Sequence, residues 1–411
     1  MNLRECADII IRESIHSVLP DEAVRKALTG KTFGRGKLIV VAAGKAAYRM
    51  AKTAEEVLGD RIDQGIVITK YGHVEGQIPG FTCYEAGHPV VDENSVAATE
   101  KAIELVQNLS SEDTVLFLLS GGGSALFEKP LIPLKELQDI TGQLLACGAD
   151  IREINIIRKR LSAVKGGKFA LIAQPAQVFS VILNDVVAAP LDMIASGPTY
   201  PDSSTSDEAL EIVEKYKISL SDEALECLKT DTPKELPNST AEVSGSVEEL
   251  TAAATESARR LGFEAQIVTN EFLCEAKEAG KVLSSLAIKN CDPDKDIAFI
   301  AGGETVVHVT GNGKGGRNQE LALSTAMDIS GYDNIAIFSV GSDGTDGPTD
   351  AAGGYVDGKT AETLNGKNIS IAEVLKNNDS YNALKECDGL IITGPTGTNV
   401  NDLSVALVLK H

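Results

Sequence analysis

A short apolar run, a glycine turn and an amphipathic helix follow one another near the start of the chain. In KLIVVAAGKAAYRMAKTAEEVL, residues 37–58, an unbroken apolar run precedes Gly44, and the apolar residues after it return at helical spacing. Similar runs occupy residues 65–69, 81–86, 114–120 and 178–185, with helical segments between most of them. Unbroken apolar strands alternating with helices are typical of a parallel sheet covered on both faces. The sequence therefore predicts an α/β fold.

The length of the chain, 411 residues, exceeds what one ordinary core holds and fits two domains. Residues 228–246 collect Pro, Ser, Thr and Asn without periodicity, which is typical of a linker. We expect a Rossmann-like three-layer α/β/α domain with a mainly parallel sheet over residues 1–235, and a second α/β domain over 236–411. In the latter, TVVHVT (305–310) follows IAFIA too closely for a parallel crossover, which predicts a mixed sheet.

The charge balance excludes several classes of partner. Lys and Arg total 38 against 59 Asp and Glu, a net charge of -21, so nucleic acid and anionic membranes would be repelled. No apolar run has the length of a membrane span, and the first residues lack the apolar core of a signal peptide, so we expect a cytoplasmic protein. Seven cysteines without a C-x-x-C pair and five histidines without metal-ligand spacing predict reduced thiols and no zinc site.

Five loops rich in glycine or acidic residues each follow a predicted strand, where open α/β sheets bind ligands. They cover residues 42–47, 120–127, 184–199, 301–320 and 341–354. A single one is best interpreted as a tight turn, whereas five together indicate a large polar site. The candidate binding residues in these loops are Gly44, Ser120, Gly121, Gly122, Gly123, Ser124, Asn184, Gly302, Gly303, Glu304 and Asn318.

Basic residues gather in one segment of this acidic chain. The segment IREINIIRKRLSAVKGGKFA contains Arg152, Arg158, Lys159, Arg160, Lys165 and Lys168. A solvated helix face and a positive field that attracts an anionic substrate explain this cluster about equally well. Arg158 and Lys165 are the candidates for binding, and Lys45, at the start of a predicted helix, could add its charge to the amides of that helix.

Carboxylates follow two of the predicted strands. Asp185 ends an otherwise apolar strand, and Asp343, Asp346 and Asp350 share one glycine-rich loop. Such residues can hold Mg²⁺ or accept a proton, although Asp is also common in turns because it bonds its own backbone. We favour a functional role for Asp185 and for one residue of the loop, and name Asp185 and Asp343 as candidate metal ligands.

The segment HVTGNGKGGRNQELAL contains G-x-G-x-x-G at Gly311, Gly313 and Gly316, the pattern of a dinucleotide-binding turn. The first long strand, where such a fold normally binds its dinucleotide, carries AAGKAA instead, and the next strand has no acidic residue at the ribose position. GGYVDGKT (353–360) fits the Walker A pattern but lacks a buried strand before it, and no G-x-S-x-G is present. Glycine amides, Lys45, Arg317 and carboxylates fit phosphoryl transfer.

At these loops the sequence resembles the class II glycerate kinases, or glycerate 2-kinases, whose second domain is called MOFRL. The resemblance spans nearly the whole chain and rests on GKAA, LLSGGGSALFEKP, INIIRKRLSAVKGGK, LNDVVAAPLDMIASGPTYPD, GGRNQELAL, GSDGTDGPTDAAGG, NDSYNAL and TGPTGTNVNDL, in this order. It implies transfer of the γ-phosphoryl group of ATP to the 2-hydroxyl of D-glycerate, with Mg²⁺, in a cleft between two domains.

Residue by residue, the resemblance implies catalytic roles for Lys45, Asp185 and Arg317. It implies the small molecules ATP and D-glycerate as partners and leaves a homo-oligomer open. Some members of the family were labelled hydroxypyruvate reductases, so an NAD(P)-dependent hydroxypyruvate reductase is the alternative function. A catalytically silent binder is the third, which the presence of all three catalytic candidates disfavours.

The predicted role of Asp185 is to orient or deprotonate the glycerate 2-hydroxyl, or to hold Mg²⁺. Asp185→Asn keeps the shape of the side chain and removes its charge, so we expect kcat to fall by about 10²-fold or more. Steady-state kinetics measure this loss, and an unchanged kcat would show that the residue only ends a strand.

Overall fold

The computed structural model describes residues 1–183, 190–291 and 294–410, which form two compact units. One contains residues 23–183 and 190–244, and the other contains residues 1–22 and 245–410. This grouping differs from the predicted division at residue 235 in two places. Helix α1 (Leu3–Ser17) belongs to the second unit because its apolar face packs in that unit's core. The predicted linker contains a strand, Ser239–Ser244, that pairs with the first sheet.

The sheet of the first unit has six described strands. These are β1 (Leu38–Ala43), β2 (Gln64–Lys70), β3 (Phe81–Ala86), β4 (Thr114–Leu119), β5 (Gln177–Leu183) and β6 (Ser239–Ser244). Their order is β3-β2-β1-β4-β5-β6, and every pair of described neighbours is parallel. This is the Rossmann strand order, which confirms the predicted fold class. The order reverses between β1 and β4, so their carboxyl ends flank the crevice where such sheets bind ligands.

Helices cover both faces of this sheet. They are α2 (Pro20–Leu28) and α3 (Ala47–Leu58) on one face, and α4 (Glu93–Val106), α5 (Gly123–Leu126) and α8 (Lys168–Ile172) on the other. Four further helices pack on one another in a separate core: α6 (Leu134–Ala146), α7 (Ile151–Leu161), α9 (Ser206–Tyr216) and α10 (Asp222–Leu228). Short 3₁₀ turns lie at Gly59–Arg61 and Leu191–Ser196. Because side chains alternate along a strand, Ile39 and Val41 pack in one core layer while Leu38 and Val40 pack in the other. The unbroken apolar run of β1 thus fills both faces.

The second unit has a mixed sheet, as predicted. Its described strands are β7 (Glu264–Phe272), β8 (Ile297–Gly303), β9 (Ile335–Gly341), β10 (Gly353–Asp357), β11 (Leu390–Ile391) and β12 (Asp402–Val408), in the order β11-β10-β9-β12-β8-β7. Only the described pair β7 and β8 is parallel. The reason for the mixing differs from the prediction, because 305–310 forms no strand and has only a bridge at Val306. The antiparallel strands are β12, inserted between β8 and β9, and β10, between β9 and β11.

Helices also cover both faces of the second sheet. They are α1 together with α11 (Val247–Arg260), α12 (Ala276–Lys289), α13 (Arg317–Thr325), α14 (Thr360–Gly366), α15 (Ile371–Lys376) and α16 (Ser380–Glu386). Helices α1 and α11 contribute to one core layer, and α12 to α16 to the other. No helix within the described ranges has both the length and the apolar character that crossing a bilayer requires.

An aromatic cluster gives a test of the first core. The rings of Phe117, Phe127 and Phe169 are fully buried, with centroids 5.0 to 5.3 Å apart. Phe169→Ala should lower the free energy of unfolding by about 3 to 5 kcal/mol, because it removes a buried ring and leaves a cavity. Leu171→Ala, on the same helix but 47% exposed, is the matched control and should cost less than about 1 kcal/mol. Calorimetry measures both, and wild-type melting of Phe169→Ala would contradict this packing.

Candidate functional site

The loops after β1 and β4 contact each other at the point where the strand order reverses. Gly44 has a φ of +123°, and a Cβ there would lie 2.3 Å from the Ser120 hydroxyl, so only glycine fits. The Lys45 amide donates to the Gly121 carbonyl at 2.8 Å, and the Ala46 amide donates to Ser120 Oγ at 3.0 Å. The structure thus brings together the predicted site residues of these two loops.

Basic side chains surround this pair of loops. A Cβ on Gly122 would lie 3.1 Å from Cγ of Lys45 and 3.0 Å from Cδ2 of His88, so both side chains pack beside the glycine. Burial lowers the pKa of His88, and the charges of Lys45 and Lys70 lower it further. Lys45 and Lys70 come from the carboxyl ends of β1 and β2, and His88 follows β3, so the charges of the two lysines make this edge of the sheet favourable to an anion.

Sequence reasoning missed His88 because it considered histidines only as metal ligands. The available signal was its position: the residue follows the strand at 81–86, so its loop leaves the same edge of a parallel sheet as Lys45.

A turn with unusual backbone geometry supports the glycine loop. Ala195 and Ser196 have φ angles of 48° and 62°, and Gly197 follows at 60°. A Cβ on Gly123 would lie 2.8 Å from that of Ala195, so the turn packs directly against the loop. Left-handed conformations at non-glycine residues cost on the order of 1–3 kcal/mol each and persist where the surroundings enforce them. Ser124, in the next position of the loop, is half-buried.

Most of the basic segment is structural. Lys159 is fully buried and its ammonium donates to Asp192 and Asp202, both at 2.9 Å. Lys165 is also fully buried, donates to the Phe127 carbonyl at 3.0 Å and lies 3.6 Å from Glu128. These pairings account for the cluster without a ligand. The binding role predicted for Lys165 therefore disagrees with its burial and its partners, which make it a support of the loop that ends at Phe127.

Arg160 and Lys168 complete this buried network. Arg160 donates to the hydroxyl and the carbonyl of Ser204, both at 3.0 Å. Lys168 donates to the carbonyls of Lys159, Arg160 and Ser162, the last at 2.6 Å, and burial lowers its pKa to about 8.

Arg158 differs from its neighbours on α7. It is half-buried, and its guanidinium has no hydrogen bond or ion pair among the residues that the structure describes. Burial lowers the pKa of Arg158, and the charge of Glu128 opposes that shift. An arginine without a bound carboxylate can accept an anion, so Arg158 remains a candidate binding residue.

In the second unit, Arg317 is held between two carboxylates. Its Nε and Nη2 donate to Asp402 at 2.6 and 3.0 Å, and its Nη1 lies 3.3 Å from Glu304. Burial opposes the charge of Arg317, but the bonds to Asp402 raise the pKa of Arg317 overall. Burial raises the pKa of Asp402 to about 6, with Arg317 acting in the opposite direction. At neutral pH the pair is therefore ionised. Sequence reasoning missed Asp402, which lies 85 positions from its partner.

The glycine turn before α13 is bonded to the chain itself. Asn378 accepts hydrogen bonds from the amides of Thr310 and Gly311, at 2.8 and 3.0 Å. Asp379 accepts from the Lys314 amide at 2.8 Å. A Cβ on Gly313 would lie 2.5 Å from the side chain of Asp379, so glycine is required for this packing.

Asp346 occupies the position where a dinucleotide fingerprint would bind pyrophosphate. Its carboxylate is 3% exposed and accepts from the amides of Asn318 and Gln319, at 3.1 and 2.9 Å, at the N-terminus of α13. An anion-binding helix end is therefore already capped by the protein's own carboxylate. This finding agrees with the interpretation that the G-x-G-x-x-G does not bind NAD.

Three predicted binding positions of the second unit have packing roles. A Cβ on Gly303 would lie 2.4 Å from the Phe272 amide, and one on Gly302 would lie 2.5 Å from Val247. Asn318 is buried, and its side chain bonds Asp346 and Ser339. These contacts explain the residue types without a ligand.

The predicted metal ligands receive no support from the described residues. Asp343 accepts a hydrogen bond from the Thr345 amide at 2.9 Å, as an Asp in a turn does. Among the described residues, no three His, Cys, Asp or Glu side chains are grouped as metal ligands would be. Asn184 and Asp185 lie outside the described residues, so their predicted roles stay predictions.

Comparison with known families and proteins identifies the family of this chain. Residues 6–229 match the model described as Domain of unknown function (DUF4147), and residues 297–402 match the MOFRL family. A D-glycerate 2-kinase from Thermotoga maritima is 52% identical over 99% of this chain and 99% of its own. The chain belongs to the glycerate 2-kinase family. A glycerate 2-kinase from Pyrococcus horikoshii is 40% identical over 99% of this chain and 98% of its own.

Solved structures agree with this family assignment. A glycerate kinase from Thermotoga maritima has a TM-score of 0.95 at 52% identity, with 99% of each chain covered. A more distant relative carries the alternative name: a putative hydroxypyruvate reductase from Agrobacterium vitis is 36% identical over 91% of this chain and 100% of its own.

The cluster of basic groups predicts a pKa change. Lys45→Met removes one of the charges that lower the pKa of His88, so that pKa should rise towards the ordinary value. Lys52→Met, at an exposed position of α3, is the matched control and should leave the pKa of His88 unchanged, because Lys52 is not among the groups that shift it. NMR titration of the His88 ring measures both. No change in Lys45→Met would mean that the two side chains are not neighbours.

Proposed function

We propose that the chain is a glycerate 2-kinase, which transfers the γ-phosphoryl group of ATP to the 2-hydroxyl of D-glycerate. The observation that carries this proposal is the basic glycine-loop site of Lys45 at the reversal of the strand order, in a chain 52% identical to a D-glycerate 2-kinase along its whole length. Phosphoryl transfer depends on positioning and on electrostatic stabilisation, which a lysine beside a tight backbone loop can supply.

Lys45 has a position suited to an anionic oxygen. Its amide is fixed by Gly121 while its half-buried side chain runs along Gly122, so the ammonium is held at the edge of the sheet. As a point charge it can follow a phosphoryl oxygen as negative charge moves between donor and acceptor. His88, whose pKa is lowered, is neutral at pH 7 and can donate or accept one hydrogen bond there.

The contacts of Arg317 restrict how its guanidinium can serve the catalytic role that the resemblance implies. Asp402 occupies the Nε and Nη2 edge of its guanidinium, so that edge is not available to a substrate. We propose that Asp402 orients Arg317, and that Nη1, on the side of the exposed Glu304, approaches the anion.

A requirement for Mg²⁺ stays a prediction. The described residues do not form a metal site of their own. Proteins commonly hold Mg²⁺ through one or two carboxylates together with the phosphates of the substrate, so the predicted Asp185 and Asp343 would suffice only with bound nucleotide. The cytoplasmic location and the oligomeric state likewise remain predictions.

The hydroxypyruvate reductase alternative has one point in its favour, the name of some relatives. Against it, the glycine turn that resembles a dinucleotide fingerprint is packed on Asp379 and its helix is capped by Asp346. The two functions differ in their products, so one assay separates them.

The assay incubates the purified protein with ATP, Mg²⁺ and D-glycerate and identifies the product by ³¹P and ¹³C NMR, which distinguish 2-phosphoglycerate from 3-phosphoglycerate. We expect 2-phosphoglycerate and ADP, and full turnover should require the divalent cation. No phosphorylated product, together with oxidation of NADH or NADPH by hydroxypyruvate, would establish the reductase instead.

Two substitutions test the proposed roles. Lys45→Met should lower kcat/KM by roughly 10² to 10⁴-fold if it stabilises charge in the transition state, whereas Lys52→Met should not. Arg317→Lys keeps the charge but cannot make both bonds to Asp402 and reach the substrate, so it should also be impaired. Melting curves exclude unfolding. Wild-type kcat/KM in the folded Lys45→Met variant would refute the role given to Lys45.

A further inference from the structure

A cavity of about 700 Å³ lies in the second unit beside the start of α13. Three of its lining side chains, Leu273, Val306 and Val309, are apolar and yet 58%, 48% and 76% exposed. Exposed apolar side chains are ordinary when they are scattered, but a concave group of them is typical of a ligand site. These three side chains contribute little to the packing of this unit's core, because they face an opening rather than a packed layer.

One buried polar atom in this wall lacks a partner. Thr305 lines the cavity and is 5% exposed, and its hydroxyl has no hydrogen-bond partner in the described part of the chain. Buried hydroxyls are nearly always bonded, so this one is ready for a polar group of a ligand. The amides of Glu304 and Val306 donate hydrogen bonds to the carbonyls of Phe272 and Cys274. Thr305 lies between them on the opposite edge of the segment and takes no part in this backbone pairing.

The glycine turn forms another part of the wall. Gly313, Gly315 and Gly316 line the cavity without side chains. Asp379 accepts a hydrogen bond from the Lys314 amide, and Asp346, which also lines the cavity, packs against Gly316. A wall of bare backbone lets a flat ring approach closely. In this interpretation the G-x-G-x-x-G forms a wall of the cavity and does not bind a pyrophosphate.

Arg317 is the one cationic residue among the described residues that line the cavity, and Glu304, Glu320 and Asp346 line it as well. Asp402 and Glu304 balance the charge of Arg317, so the cavity has no net positive potential to attract a small anion. D-glycerate is small, polar on every carbon and anionic, and it would gain little from walls of leucine and valine. A purine has two apolar faces and a polar rim, which match these walls and the Thr305 hydroxyl.

We propose that this cavity binds the purine base of the nucleotide, with the base against Leu273, Val306 and Val309 and its polar rim at Thr305. The inference rests on the proposed function, in which ATP is the phosphoryl donor. It assigns the nucleotide base to the second unit, an assignment that the sequence left open.

The test is equilibrium binding by isothermal titration calorimetry, with ADP, inorganic tripolyphosphate and D-glycerate as separate probes. Leu273→Gln and Val309→Gln replace exposed apolar side chains without adding charge, so repulsion of phosphate cannot explain a loss. Each should raise the Kd for ADP about tenfold. Thr305→Val, which removes only the hydroxyl, should raise it about three- to tenfold. The Kd for tripolyphosphate and for D-glycerate should stay within about twofold of wild type, the ordinary scatter between surface variants.

Met327→Gln is the matched control, because it changes a 56% exposed apolar residue of the same unit outside the cavity wall. It should leave the Kd for ADP unchanged. The inference is overturned if wild type does not bind ADP, if the cavity variants bind ADP as wild type does, or if they lose tripolyphosphate or D-glycerate in parallel.

The outcomes for the cavity and for the proposed function can be told apart. Binding of ADP needs no turnover, so the titration decides the cavity even if D-glycerate is not the acceptor. Conversely, a chain that phosphorylates D-glycerate while the cavity variants keep the wild-type KM for ATP would retain its function and lose this assignment.

Discussion

The contact between Gly44 and Ser120 is the constraint on which the first unit's site depends. Two neighbouring parallel strands end side by side, and their loops can share hydrogen bonds only because residue 44 has no Cβ. The same contact sets the direction of Lys45, whose amide is bonded to Gly121. The direction of the Lys45 side chain therefore follows from backbone geometry, and none of the residues that the structure describes bonds its ammonium.

Buried ion pairs stabilise the part of the first unit that holds this site. Lys159 is paired with Asp192 and Asp202, and Lys165 with Glu128, inside a helical layer that water does not reach. Removing one member of such a pair leaves a buried charge without compensation and costs about 3–5 kcal/mol. The strongly basic segment is therefore a framework that anchors the end of the glycine loop, and its net contribution to attracting substrate is small except at Arg158.

The second unit uses carboxylates in the same way. Asp346 closes the N-terminus of α13, and Asp402 holds Arg317 at the first residue of that helix. Both act as internal substitutes for the anions that a helix end or a free arginine would otherwise attract. Most polar groups near the start of α13 thus have partners within the protein, while the open cavity beside it adds exposed apolar side chains and glycine backbone to its charged and polar lining residues.

The sequence by itself determined the fold class, the strand-turn-helix order and the family, because apolar periodicity and ordered motifs are local properties of the chain. It also predicted that Gly44, Lys45 and Gly121 lie close together, since carboxyl ends of parallel strands share an edge, and the structure places them in contact. Only the tertiary structure decided which charges are free. In the sequence, Lys159, Lys165 and Arg317 cannot be distinguished from basic residues without a partner. Their carboxylate partners lie 33, 37 and 85 positions away in the chain, respectively, and local residue spacing does not indicate partners at such distances.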